Sequence, residues 1–308
     1  MENKLHVSAT PHIHSGRSTQ KIMLEVLIAL LPATIAGVVI FGLRSLLVIG
    51  VCIGVSVLCE FVFNKIVKKD MTITDLSAVV TGLILALNLP ANAPLWQAAV
   101  GAVFAIVVVK CIFGGIGKNV VNPAASARVF MLVAFSSLTK AAFPVNYDAV
   151  SSATPLAELA DDKMPELLSL FLGQTGGAIG ETCTLALIIG GVYLIVRKII
   201  TWHIPVAFIG TVFLFTLAIE KDPMVSLAWI LSGGLFLGAF FMATDYVTSP
   251  ATPKGRIIFG IGAGLITTMI RFWGVYPEGV SFAILIMNIL NPYIDSLSVR
   301  KLFGGGKK

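Results

Sequence analysis

Residues 22–63 read IMLEVLIALLPATIAGVVIFGLRSLLVIGVCIGVSVLCEFVF, and within them only Glu25, Arg44 and Glu60 carry charge. A helix needs about 20 mostly apolar residues to cross the hydrocarbon core of a bilayer. The stretch therefore reads as two consecutive spans, 22–42 and 44–63. Eight further segments meet or approach the same criterion: 75–89, 94–113, 122–142, 181–200, 203–219, 224–243, 256–272 and 279–298. Some are short or interrupted. Segment 75–89 stops at Pro90, and segment 122–142 opens on Asn122-Pro123 and carries Arg128 inside it. The expected fold is an all-α polytopic membrane protein of about ten transmembrane helices.

Composition agrees with this. Of 308 residues, 56% are hydrophobic and only 12% charged, with a mean hydropathy of +0.92. Soluble domains hold about a quarter charged residues, so a water-soluble globule, a disordered chain and a nucleic-acid binder are all excluded. The four cysteines, Cys52, Cys59, Cys111 and Cys183, form no CxxC pair and sit in or beside apolar runs. They support neither a disulfide framework nor a zinc site. The first 21 residues are polar and the first apolar run is long enough to span, so an uncleaved anchor is expected and not a cleaved signal peptide.

The net charge of +6 comes from 22 Lys and Arg against 16 Asp and Glu. With the N-terminus in the cytoplasm and sides alternating through ten spans, seventeen bases fall on the cytoplasmic side and five outside. Cytoplasmic loops carry the excess of Lys and Arg in membrane proteins, so the bias predicts cytoplasmic N- and C-termini. The chain then divides into 1–142 (tail and five spans), an extracytoplasmic loop at 143–180, and 181–308 (five spans and a tail). Pro90-Ala91 follows the third span and Pro250-Ala251 follows the eighth, while Asn122-Pro123 and Asn291-Pro292 mark the fifth and tenth. Two units of five spans would insert with opposite orientation, an inverted repeat of the kind found among transporters. Asn-Pro pairs also mark helix ends without any duplication.

The loop at 143–180 is acidic and close to forty residues long, which is uncommon unless a loop is functional. It contains Asp148-Ala149-Val150-Ser151-Ser152-Ala153-Thr154-Pro155. By composition alone this is an Asp-initiated turn in a Ser/Thr-rich loop. It also resembles the flavinylation motif of the NqrB/RnfD family, Asp-x-x-(Ser/Thr)-(Gly/Ser)-Ala-Thr. In that family an exported transferase esterifies the final threonine with the phosphate of FMN. The resemblance implies covalent FMN on Thr154, with Asp148, Ser151, Ser152 and Ala153 as the recognition sequence. Ser152 stands where glycine is common. Two near-matches, Ser8-Ala9-Thr10-Pro11 and Asp245 to Thr252, lack the acid or have one residue too many, and both fall on the expected cytoplasmic side.

The resemblance extends over essentially the whole chain. Ser8 to Ser15 is similar to the family's opening Ser-Pro-His segment, and Asn122-Pro123-Ala124-Ala125-Ser126-Ala127-Arg128 to its Asn-Pro-Ala-x-x-Ala-Arg segment. The NqrB branch usually has a longer N-terminal extension than the 21 residues here, so the likeness leans to the RnfD branch. Read from its residues, 114–128 is a Gly-rich turn into a helix start that presents free N–H groups. It is not a Walker loop, because Ile112 and Asn119 stand where glycine and Ser/Thr are required. A flavin pocket lined by Asn122, Pro123 and Arg128 is expected; an arginine snorkelling to the cytoplasmic interface is the alternative for Arg128. His12 and His14 have no third ligand nearby, so no metal site is expected. Cys52 and Cys59 share a helix face as packing residues. Glu25 and Glu60, at membrane depth, are candidates for an ion path, although Glu60 is also near the Lys65–Lys69 cluster.

The resemblance implies an electron-transfer subunit of the Rnf complex of bacterial membranes, which couples ferredoxin:NAD+ electron transfer to outward Na+ or H+ movement. Its partners would be the other Rnf subunits, the FMN transferase and the lipid bilayer, with no nucleic acid. Some relatives also hold a non-covalent riboflavin. Two other readings stay open on sequence alone: an NqrB-type subunit of a Na+-pumping NADH:quinone reductase, and a non-redox transporter or channel built on the repeat.

Overall fold

The computed structural model describes residues 18–69, 71–135, 138, 142–144, 154–161, 163–274 and 278–299. They form helices joined by turns, with one isolated β-bridge between Ala142 and Gly177. In chain order the helices are α1 (Thr19–Phe41), α2 (Leu43–Val67), α3 (Ser77–Leu87), α4 (Leu95–Cys111), α5 (Pro123–Ala134), α6 (Pro155–Ala160) and α7 (Leu167–Leu172). There follow α8 (Thr184–Val196), α9 (His203–Glu220), α10 (Pro223–Leu231), α11 (Leu235–Met242), α12 (Pro253–Trp273) and α13 (Val280–Ser298). The last eight residues of α4 and the last five of α11 are wound as π-helix, a form that is rare and often found at functional sites.

Helices α1, α2, α9, α12 and α13 are long and apolar enough to cross a membrane. The α10–α11 pair passes the same test only when taken together and is bent by 65° at its break, and α3, α4, α5 and α8 are shorter apolar helices. Together these account for the ten apolar segments of the sequence, and the chain is an all-α polytopic membrane protein. Three segments differ in detail from their expected extent. The helix that opens segment 122–142 ends at Ala134, because Phe135 turns to extended backbone. Segment 181–200 is helical over 184–196. Segment 224–243 is broken at Ser232-Gly233-Gly234, where Ser232 is extended and Gly233 takes φ +69°; that left-handed geometry is one glycine adopts without penalty.

Helix starts follow one local rule. Asn122, Thr154, Asp222 and Thr252 each cap a helix with a side-chain oxygen, and each is followed by proline at the first helical position. The cap satisfies orphan N–H groups and proline lacks the donor that would go unpaired there. Asn291-Pro292 breaks the rule, since Pro292 lies inside α13. The two Asn-Pro pairs are thus not equivalent, whereas Pro90 and Pro250 do occupy corresponding links, before α4 and before α12.

Packing follows a pattern shared by the two halves. In the first, α2 packs against α3 and α4; in the second, α9 packs against α10 and α12. Helix α4 meets α5 as α12 meets α13, and the halves touch through α1 with α8 and α5 with α13. Small residues set the spacing. A Cβ at Gly264 of α12 would stand 2.7 Å from Thr211 Cβ, and one at Gly190 of α8 would stand 2.1 Å from the Ala29 carbonyl oxygen. Close backbone approach at small residues is how helices associate where lipid removes the hydrophobic driving force. The outward faces are apolar, as at Val39, Leu43, Ile66, Val196 and Leu297. The short helices α3 and α5 are buried on nearly every side, and they position the two cavities described next.

Candidate functional site

Two cavities border α5, and the larger also borders α3. The larger, about 430 Å³, is lined by the starts of α1 and α3, the ends of α4, α8 and α11, and the 116–124 turn. Its walls include Val80, Ile84, Phe240 and Phe241, and its polar rim includes Ser77, Lys110, Asn119, Asn122 and Asp245. The smaller, about 50 Å³, is lined by Thr154, Arg128, Glu181, Thr182, Ser232, Gly233 and Glu278, among others.

At the larger cavity, Lys110 of α4 is buried and donates to both carboxylate oxygens of Glu60 at 2.9 Å and to Ser77 Oγ at 2.6 Å. Thr72 donates to Glu60 at 2.8 Å and receives from Asn64 at 3.0 Å. Glu60 is therefore neutralised from α4 and not by the Lys65–Lys69 cluster. Asn122 is fully engaged. Its side-chain oxygen accepts from Ala124 N and Ala125 N, its Nδ2 donates to the Met242 carbonyl at 3.0 Å, and its backbone N–H donates to Asn288 Oδ1 at 3.0 Å. Asn288 in turn donates to the Thr248 carbonyl at 3.1 Å. Asn122 thus shapes the wall by tying α5 to α11 and α13. Asp245, in the turn after α11, accepts from Thr248 Oγ1 at 3.2 Å and from Asn119, and burial pushes its carboxyl above the ordinary carboxylate range.

At the smaller cavity, Arg128 is 2% exposed and grips Glu278 through Nε (3.2 Å) and Nη2 (2.8 and 2.7 Å). It does not snorkel. Behind Gly233, Arg271 donates to the carbonyls of Trp229 (2.6 Å) and Ser232 (3.0 Å), which the break between α10 and α11 leaves free. The buried Glu181 accepts from Ala178 N at 2.8 Å. Arg128 Nη1 and Thr182 Oγ1 are buried with no hydrogen-bond partner. Thr154 is half-buried and caps α6, accepting from Ala157 N at 3.2 Å.

The expected site residues therefore separate. Asn122 and Pro123 line the larger cavity, while Arg128 and Thr154 line the smaller one. Asp148, Ser151, Ser152, Ala153, His12 and His14 lie outside the described residues. Cys52 sits in the core, with Sγ 3.9 Å from the Ala98 carbonyl, and Cys59 packs on a small cluster of Ala78, Ile106 and Cys111. No group of three potential metal ligands occurs among the described residues. Glu25 pairs with Arg197 and Tyr193. Sequence reasoning misses Lys110, Glu181, Arg271, Glu278 and Asn288. The signal for Lys110 and Arg271 is an ionisable residue inside an apolar run, which at membrane depth has to face a partner or a cavity. In the sequence both count as sidedness markers, as does Arg128; the cytoplasmic bias persists without the three.

Comparison with known proteins agrees with the residue patterns. The chain is 48% identical over 309 residues to the D subunit of the Na(+)-translocating ferredoxin:NAD(+) oxidoreductase complex of Acetobacterium woodii, covering 98% of this chain and 96% of that one. It is 41% identical over 325 residues to the D subunit of the proton-translocating ferredoxin:NAD(+) oxidoreductase complex of Clostridium ljungdahlii, covering 98% and 97%. It is 38% identical over 327 residues to the D subunit of the ion-translocating oxidoreductase complex of Stutzerimonas stutzeri, covering 93% and 92%. Residues 6–304 match the family described as NQR2, RnfD, RnfE. The chain belongs to the NQR2, RnfD, RnfE family.

Proposed function

We propose that this chain is a membrane subunit of an ion-translocating ferredoxin:NAD+ oxidoreductase complex, and that it carries FMN as a phosphoester on Thr154 at the extracytoplasmic face of a bacterial inner membrane. Two of the relatives named above are D subunits of such complexes, and this chain matches nearly the whole length of each. The observation that carries the flavin assignment is the place of Thr154. It stands at the edge of a cavity whose buried lining holds unspent donors, and its sequence context matches a flavinylation motif. A bound flavin supplies reversible uptake of electrons singly or in pairs, and the protein's part is to fix its position and surroundings. The cap on α6 holds the Thr154 oxygen at the cavity mouth, and an ester oxygen still accepts from Ala157 N. Covalent attachment keeps the cofactor from being lost outside the cell.

The larger cavity suits a second, non-covalent flavin such as riboflavin. Its 430 Å³ falls within the roughly 300–1,000 Å³ of small-molecule sites. Phe240, Phe241 and Ile84 offer apolar faces to a planar ring, and Asn119, Asp245 and Ser77 stand at its polar edge. Asn122 and Pro123 hold that wall in place.

The test is ultraviolet in-gel fluorescence of the denatured protein made together with the FMN transferase. A fluorescent wild-type band that disappears in Thr154→Ala is the expected result; a dark wild-type band overturns the assignment. Flavin released by denaturing the Thr154→Ala protein reports on the larger cavity.

A further inference from the structure

We propose that the smaller cavity is the seat of the phosphodiester at Thr154, with Arg128 Nη1 and Thr182 Oγ1 as its donors, and that the flavin ring lies outside it. This rests on the reading of Thr154 as the esterified residue and adds where the linking group is held.

Size comes first. The cavity measures about 50 Å³, against about 10–15 Å³ of such space for one water and roughly 300 Å³ or more for a small-molecule site. It admits a group the size of a phosphate and excludes a three-ring isoalloxazine.

Unspent chemistry comes second. Arg128 spends Nε and Nη2 on Glu278 and leaves Nη1 buried without a partner. Thr182, 5% exposed, leaves its hydroxyl in the same condition. Both residues line the cavity, as Thr154 does. A buried donor left without an acceptor forfeits its hydration with nothing in return, so two of them around one small space call for an acceptor. A phosphodiester offers two non-bridging oxygens and one negative charge, and arginine with phosphate is among the strong charge-assisted pairs.

Each of the two neighbouring carboxylates already accepts from a donor. Glu278 is held in the fork of Arg128, and Glu181 Oε1 accepts from Ala178 N. The Arg271 guanidinium stands behind Gly233, with Nη2 3.2 Å from where a Cβ there would be. An anion joined to Thr154 therefore faces Arg128 directly, with Arg271 one layer further back.

The experiment is solid-state ³¹P–¹⁵N dipolar recoupling on flavinylated protein labelled with ¹⁵N at arginine, in a phosphorus-free detergent. Charge-assisted N–H···O contacts of 2.7–2.9 Å place phosphorus within about 4 Å of an arginine nitrogen, so the flavin phosphodiester resonance should dephase. In Arg128→Lys the dephasing should be lost while the band stays fluorescent; in Arg271→Lys it should persist. No dephasing in fluorescent wild-type protein overturns the proposal, and so does dephasing that survives Arg128→Lys. If Arg128→Lys does not fold, or folds with a dark band, Thr182→Val decides: a shifted phosphodiester resonance is expected, and an unmoved one overturns the proposal. A dark wild-type band would instead sink the Thr154 assignment, so the two failures are distinct.

Discussion

Lys110 and Glu60 form a closed ion pair inside the helix bundle, with the ammonium 2.9 Å from both carboxylate oxygens and each side chain less than 5% exposed. It joins the π-helical end of α4 to α2 and borders the larger cavity. Removing one partner of a buried pair leaves an uncompensated charge, at about 3–5 kcal/mol. Lys110→Met and Glu60→Leu should each lower the thermal midpoint of the purified protein by several degrees. The double variant should be more stable than the sum of the two losses predicts. Strict additivity would mean that the pair is not coupled.

Helix contacts separate glycines that touch from glycines that do not. Gly190→Ala would place a methyl 2.1 Å from the Ala29 carbonyl oxygen and force α8 from α1, a strain of about 1–3 kcal/mol. Gly210→Ala, with nothing within 4 Å, should be neutral or stabilise by about 0.5–1 kcal/mol. Midpoints from thermal melts in one detergent rank the two. A more stable Gly190→Ala would contradict the α1–α8 packing.

Asn122 both caps α5 and ties it to α11, and two substitutions divide these roles. Asn122→Ser keeps a neutral acceptor for the first N–H groups of α5 but loses the donor to Met242 O. Asn122→Ala loses both. The cap alone is worth about 0.5–2 kcal/mol, so Asn122→Ala should be the less stable of the two by about that much. Equal stabilities in chemical denaturation would show that the cap contributes nothing here.

Val80 lines the larger cavity. Val80→Trp should occupy much of it and reduce non-covalent flavin recovered after denaturation several-fold, while in-gel fluorescence at Thr154 is unchanged. Parallel loss of both signals would argue against two independent flavin sites.

Much of this architecture is legible in the sequence. Apolar runs of span length locate the long helices, because burial in lipid demands continuous hydrophobicity. Asn122-Pro123 marks the start of α5, while the starts at Pro223 and Pro253 lie one and three residues before the apolar runs read at 224 and 256. The shortening of α5 and the break at Ser232-Gly233-Gly234 are not legible there. A bent or half-length helix is tolerated only where other elements receive its free carbonyls, and Arg271, which does so for Trp229 and Ser232, comes some forty residues later. The ion pairs are hidden for the same reason, since Glu60 lies 50 positions from Lys110 and Arg128 lies 150 from Glu278. The separation of Asn122 from Arg128 is readable. At 3.6 residues per turn, a spacing of six places them about 120° apart on α5, so they cannot face one pocket.

That six-residue spacing has an electrical consequence. At 1.5 Å per residue, Asn122 and Arg128 stand about 9 Å apart along α5, and the two cavities meet the helix at these two positions. Lipid spreads the transmembrane potential over a core of about 30 Å. If, with their ligands absent, the two recesses open to water on opposite sides of the membrane, the same potential falls mainly across this thin partition, where an elementary charge moved through its full drop exchanges about 2.3 kcal/mol per 100 mV. Most of the membrane voltage would then act on a few residues of α3, α5 and α11, and any charge shift among them would be felt as work against the field.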